Sequence, residues 1–190
     1  MKPHHHSLYT AIITPMRDDG NIDFISFKNL LEIQQKADCG VVILGSTGES
    51  LAIDDKEKRQ IVHFVMALNL SIPVIVGVGG YQLQQQLDWI DFCNSYHISG
   101  YLLVTPLYAK PGTKGQSQWF EALLDASDKP CMLYNVPSRT GIHLSDETLS
   151  ALKHHPRLWA LKEASGDIDR SKCRAVLLKF SIYYFLERFV

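Results

Sequence analysis

Short runs of β-branched and other apolar residues alternate along this chain with stretches in which apolar residues return every three or four positions. The first kind reads as strands buried on both faces, the second as helices with one buried stripe. The spacing predicts strands at Leu8–Ile13, Val41–Leu44, Ile72–Val76, Tyr101–Val104, Cys131–Tyr134 and around Lys162, in the stretch Leu158–Asp167. Between them fall helical faces made of Phe24, Phe27, Leu30, Leu31 and Ile33, then of Ile61, Val62, Val65, Met66 and Leu68, with Asp54 where it can cap the second helix. A third face carries Leu83, Leu87, Ile90 and Phe92, a fourth Trp119, Phe120, Leu123 and Leu124, and a short fifth helix covers Asp146–Lys153.

Strand and helix thus repeat with a unit of about 30 residues, the size of a βαβ unit with parallel strands. A doubly wound sheet needs a phosphate-binding glycine turn after its first strand, and here that strand runs into Thr14-Pro15. Gly77-Val78-Gly79-Gly80 follows the third strand and lacks the third glycine of a dinucleotide fingerprint. A (β/α)₈ TIM barrel instead collects its reactive residues at the C-terminal ends of several strands, and that is where Ser46, Thr47, Tyr108, Tyr134, Arg139 and Lys162 fall. The expected fold is therefore α/β, an incomplete (β/α)₈ barrel of about six βα units plus part of a seventh strand. Residues 1–170 form its N-terminal part and residues 171–190 a divergent tail.

Composition narrows the function. With 46% hydrophobic residues in 190 the chain can bury a sizeable core, and 19 basic against 20 acidic side chains leave no basic surface for nucleic acid. No apolar run reaches the about 18 residues of a membrane helix, and residues 2–7 are too polar for a secretory leader. Four scattered cysteines without a CxxC pair read as reduced thiols, and the expected setting is the cytoplasm. His4, His5 and His6 read as an incidental terminal tract, and no metal or cofactor is expected.

Lys162 closes a short apolar run, Leu158-Trp159-Ala160-Leu161. Moving a lysine from its ordinary pKa of about 10.4 toward 7 takes roughly 4 to 5 kcal/mol of selective destabilisation of the ammonium, which a desolvated strand end can supply. The neutral amine can then form a Schiff base with a carbonyl. The plainer alternative is a lysine that snorkels outward and pairs with Glu163 or Asp167. Tyr134 is either a proton shuttle or a core tyrosine, Gly45-Ser46-Thr47-Gly48 a carboxylate site or an ordinary tight loop, and Arg139 a second anion fork or a surface arginine. Taken jointly, these residues describe an imine-forming enzyme acting on a 2-oxo acid.

Three motifs, Gly45-Ser-Thr-Gly-Glu49, Leu133-Tyr-Asn-Val-Pro-Ser-Arg-Thr-Gly141 and Leu161-Lys-Glu-Ala-Ser-Gly166, make the chain resemble the dihydrodipicolinate synthase and N-acetylneuraminate lyase family from about Leu8 to about Asp169. The resemblance implies that Lys162 is the Schiff-base lysine that condenses with pyruvate, and Tyr134 its proton relay. Ser46, where many members have threonine, keeps the needed hydroxyl, and Thr47 holds the pyruvate carboxylate. Tyr108 reaches into a neighbouring subunit's site in a homo-oligomer, a dimer of dimers, and Arg139 receives the carboxylate of L-aspartate 4-semialdehyde. The Pro-Ser-Arg-Thr-Gly pattern favours the synthase branch over the neuraminate and keto-sugar-acid aldolases. The implied reaction is that of a carbon-oxygen lyase yielding 4-hydroxy-tetrahydrodipicolinate for lysine and diaminopimelate synthesis, with no cofactor beyond the covalent imine on Lys162.

Two departures qualify this. Asp55, Lys58, Tyr81, Gln85 and Leu107 stand where lysine-inhibited members have a lysine-binding pocket, and only Ser50 is kept, so feedback inhibition by lysine is not expected. The family's chains are also considerably longer, and a C-terminally truncated product with little activity of its own is the expectation.

Overall fold

The computed structural model describes residues 6–169, 172–174 and 181–184. Among them seven strands form one parallel sheet in chain order: β1 (Tyr9–Ala11), β2 (Gly40–Ile43), β3 (Val74–Val78), β4 (Gly100–Val104), β5 (Cys131–Asn135), β6 (Leu158–Glu163) and β7 (Ser181–Tyr184). The crossovers carry α1 (Phe24–Lys36), α2 (Asp55–Ala67), α3 (Leu83–Asn94), α4 (Thr113–Ala126), the single turn α5 (Pro137–Thr140) and α6 (Asp146–Leu152). The sheet curls until Tyr9 on β1 and Tyr183 on β7 meet edge to face, their ring centroids 5.7 Å apart. This is the expected incomplete (β/α)₈ barrel with part of its seventh strand in place. The histidines at positions 4 and 5 and most of the tail after position 175 lie outside the described residues.

Alternation along the strands divides the core in two. One set of side chains, including Ile43, Val76, Leu103, Leu133 and Leu161, packs outward against the helices. The other, including Val42, Ile75, Leu102, Met132, Tyr134 and Ala160, fills the concave interior with Tyr9, Trp159 and Tyr183 packed against it. Helices start where polar caps dictate. The Asp54 carboxylate accepts from the Glu57 amide at 2.7 Å as expected, and Asp23 does the same for α1 from the amides of Ile25 and Ser26, both at 3.1 Å.

Several boundaries differ from the sequence reading. β1 is only Tyr9–Ala11, with Leu8 and Ile13 exposed. β3 begins two residues late, because Pro73 has no N–H to give the ladder and contributes its carbonyl to the Val41 amide instead. It also runs on through Gly77 and Val78, which pair with Leu102 and Leu103 of β4, and Gly77 must be glycine because the carbonyl of Leu44 occupies the space a Cβ would need. Leu44 itself leaves the β2 ladder with a left-handed φ of 53°. On α1 the expected apolar face is narrower: Phe27 and Leu31 are buried, but Ile33 is 56% exposed. On α3 the buried stripe instead includes Gln86 and Trp89.

Candidate active site

A cavity of about 490 Å³ opens at the C-terminal ends of β2 to β5. Its wall includes Ser46 and Glu49 from the turn after β2, Tyr108 from the loop after β4, Tyr134 near the end of β5 and Arg139 on α5. The rest is largely apolar, with Leu44, Leu102, Val104 and Val136 among the lining residues. Four of the six expected site residues are thus brought to one cavity. Thr47 is not on this wall; it neighbours Ser46 in the turn, which is tied down by Thr14, whose hydroxyl donates to the Gly48 carbonyl at 2.8 Å.

Lys162 is not on the wall either, and it meets the site through Tyr134. The two residues are register partners on neighbouring strands, and the Lys162 Nζ lies 4.3 Å from the centroid of the Tyr134 ring. Lys162 is only 8% exposed, so it does not snorkel into solvent. Nor does Glu163 point the same way. Successive strand residues face opposite sides, and Glu163 turns into the helix layer, where its carboxylate is 2.6 Å from the Arg174 guanidinium. The amine thus lies over the face of the Tyr134 ring at the apolar end of β6, a cation–π placement.

Arg139 and Tyr108 belong to the rim. Arg139 is exposed on the Pro137–Thr140 turn, which closes with Gly141 in a left-handed conformation at φ 71°. Tyr108 is 94% exposed and itself sits at φ 66°. A non-glycine residue held in that region is strained, and such strain gathers at functional loops. Below the cavity, burial raises the phenol pKa of Tyr9, with the neighbouring Tyr183 adding to it, so the ring stays neutral in the barrel floor.

Glu163, which the sequence offered as a partner of Lys162, instead binds Asn135 and Arg174, neither of which the sequence singled out. Asn135 and Glu163 are polar positions in otherwise apolar strands, each one residue beyond a site residue, and that repetition was a usable signal. Arg174 had none, since nothing local distinguishes it from a surface arginine.

The parallel sheet is that of an incomplete (β/α)₈ barrel, with a buried lysine on β6 beside a tyrosine on β5, the strand before it. The sequence profile of the Dihydrodipicolinate synthetase family matches residues 4–184, beyond the stretch its motifs cover, and the chain belongs to that family. Its relatives include the 4-hydroxy-tetrahydrodipicolinate synthases of Francisella tularensis subsp. novicida, 59% identical over 166 residues, and Wolbachia pipientis wMel, 51% identical over 163. These alignments cover 87% and 85% of this chain but 56% of each relative, so the chain spans little more than half their length. Among solved structures, the chloride-inhibited dihydrodipicolinate synthase of Acinetobacter baumannii complexed with pyruvate superposes with a TM-score of 0.89 at 32% identity. The match covers 93% of this chain and 62% of that one. Among the described residues no helix is long and apolar enough to cross a membrane.

Proposed function

We propose that this chain carries the imine-forming half of a synthase that condenses pyruvate with L-aspartate 4-semialdehyde. The observation that supports it most is the buried Lys162 amine resting on the Tyr134 ring beside a cavity that Ser46 and Arg139 also line. The neutral amine attacks the keto carbon of pyruvate, and Tyr134 carries the protons that turn the carbinolamine into an imine with loss of water. Ser46 and Thr47 hold the pyruvate carboxylate with hydroxyl and turn groups. Loss of a methyl proton gives an enamine, whose carbon adds to the aldehyde of the second substrate while Arg139 takes that substrate's carboxylate in a charge-assisted fork. The amino group of the second substrate then displaces Lys162 from the imine carbon. The ring closes as 4-hydroxy-tetrahydrodipicolinate, and the lysine is free for another cycle without any cofactor.

Tyr108, 94% exposed and sharing the cavity rim with the exposed Leu51, suits contact with a second copy of the chain in a dimer of dimers. A second reading, a chain that binds other copies without turning substrate over, is favoured by one feature. Among the described residues β1 pairs only with β2 and β7 only with β6, so the sheet keeps two edges.

Reduction with borohydride in the presence of pyruvate tests the first reading. It should attach one pyruvate-derived group to the chain at Lys162, and Lys162→Ala should abolish it. Attachment at another lysine, or none, would overturn the assignment.

A further inference from the structure

β5 and β6 do not pair evenly. Cys131 lies opposite Leu158 but Met132 lies opposite Ala160, so Trp159 is an extra residue bulged out of the ladder. Had the pairing continued evenly from Leu158, Tyr134 would face Leu161, and Lys162 would lie opposite Asn135 on the helix-facing side. The bulge is therefore what brings Lys162 to the interior beside Tyr134. A one-residue slip would undo it by exchanging every side chain beyond it between the two faces.

Farther along the two strands from the bulge, on the outward face, stands a buried polar cluster that fits only the bulged register. Asn135 and Glu163 are register partners, and the Asn135 amide donates to one Glu163 oxygen at 2.7 Å. The Ser165 amide donates to the same oxygen at 3.0 Å, while Arg174 donates to the other at 2.6 Å. Arg174 also donates to Asp146 at the start of α6, at 2.7 Å, and to the Leu144 carbonyl. Leu144 in turn donates its amide to the Asn135 side chain at 2.8 Å. Asn135, Glu163 and Arg174 are each at least 96% buried, so a slip would strand a carboxylate and a guanidinium without water.

We infer that Glu163, clamped by Asn135 and Arg174, is a positioning residue that selects the bulged register of β5 and β6 and so keeps Lys162 over Tyr134. The purpose of that placement rests on the imine reading above, but the placement itself does not.

The test is competitive acetylation of the full chain with acetic anhydride, comparing Lys162 with the exposed Lys36 by peptide mass spectrometry. No substrate is involved, so pyruvate trapping on the unaltered chain judges the imine reading separately. Glu163→Gln should lower the Lys162 to Lys36 ratio several-fold, because losing one charge-assisted hydrogen bond favours the even register, which carries the amine from the interior beside the cavity into the packed helix layer. Deleting Trp159 makes the even pairing coincide with the Tyr134–Lys162 pairing, so in that background Glu163→Gln should change the ratio by less than about twofold. A cluster that merely stabilised the fold would act alike in both backgrounds. If Glu163→Gln does not fold, as judged by circular dichroism, Asn135→Ser takes its place in the same comparison. A ratio unmoved in the parent chain, or moved equally in both backgrounds, would overturn the inference.

Discussion

On β5 and β6, adjacent residues inhabit opposite chemistries. Tyr134 and Lys162 face the interior, where an amine lies on an aromatic ring beside a cavity. Asn135 and Glu163, one step along, face the helix layer, where the carboxylate is held on both oxygens by donors from the chain. Both faces bury an ionisable side chain. On the outer face the carboxylate and guanidinium are hydrogen-bonded into an anchor, while on the inner face the amine lies against a phenol ring that lines a cavity. The difference teaches that a buried ionisable residue declares its role through the partners its face provides.

The largest expected effect separates these faces. Glu163→Ala leaves Arg174 buried without its main partner, a loss of about 3–5 kcal/mol, whereas Lys162→Met keeps the volume and removes only the amine, costing less than about 1.5 kcal/mol. Urea unfolding of both variants measures the contrast, and a Lys162→Met cost equal to that of Glu163→Ala would break it.

The helix-facing side also holds two thiols that make it pH-sensitive. Burial pushes Cys93 and Cys131 from an ordinary 9.0 up to about 12. A raised folded pKa favours the protonated form, so their contribution is intact below pH 9.0 and is lost as the pH climbs from there toward 12. The slope is about 1.4 kcal/mol per pH unit for each thiol. Thermal melts between pH 8 and 11 should show the decline, and Cys93→Ala should remove about half of its slope between pH 9 and 10. The exposed Cys173 should meanwhile be the first to react with iodoacetamide.

A smaller effect concerns the strand ends themselves. Trp89 on α3 donates its indole N–H to the Gly77 carbonyl at 3.1 Å, and Trp119 on α4 donates to the Val104 carbonyl at 3.0 Å. Each thereby ties a helix to the end of the strand before it. Trp89→Phe and Trp119→Phe should each cost about 1 kcal/mol in denaturant unfolding. The smallest effect belongs to α1, where Ile33→Gln should alter stability by no more than about 0.5 kcal/mol because the side chain faces solvent. A larger loss would mean that this face is covered.

The barrel class and the type of nearly every element were legible in the sequence because alternation and helical spacing report burial locally. The rim residues were legible too, since strand ends in a parallel barrel share one face, and Ser46, Tyr108, Tyr134 and Arg139 do surround one cavity. What escaped was the exact extent of β3, set by Pro73 and by the pairing of Gly77 and Val78 with β4, and the indole bonds of Trp89 and Trp119, which span 12 and 15 residues.

The order of strands and helices, the apolar stripes that bury them and the motifs around Ser46, Tyr134 and Lys162 follow from the amino-acid sequence alone, because each depends on residues a few positions apart. Only the tertiary structure decided that Trp159 bulges, that Lys162 rather than Glu163 faces the interior, and that Arg174 reaches back to β6. Strand register is a competition between pairings that differ by one residue, and contacts from distant segments, here Asn135, Leu144, Asp146 and Arg174, tip the balance that local pattern leaves nearly even.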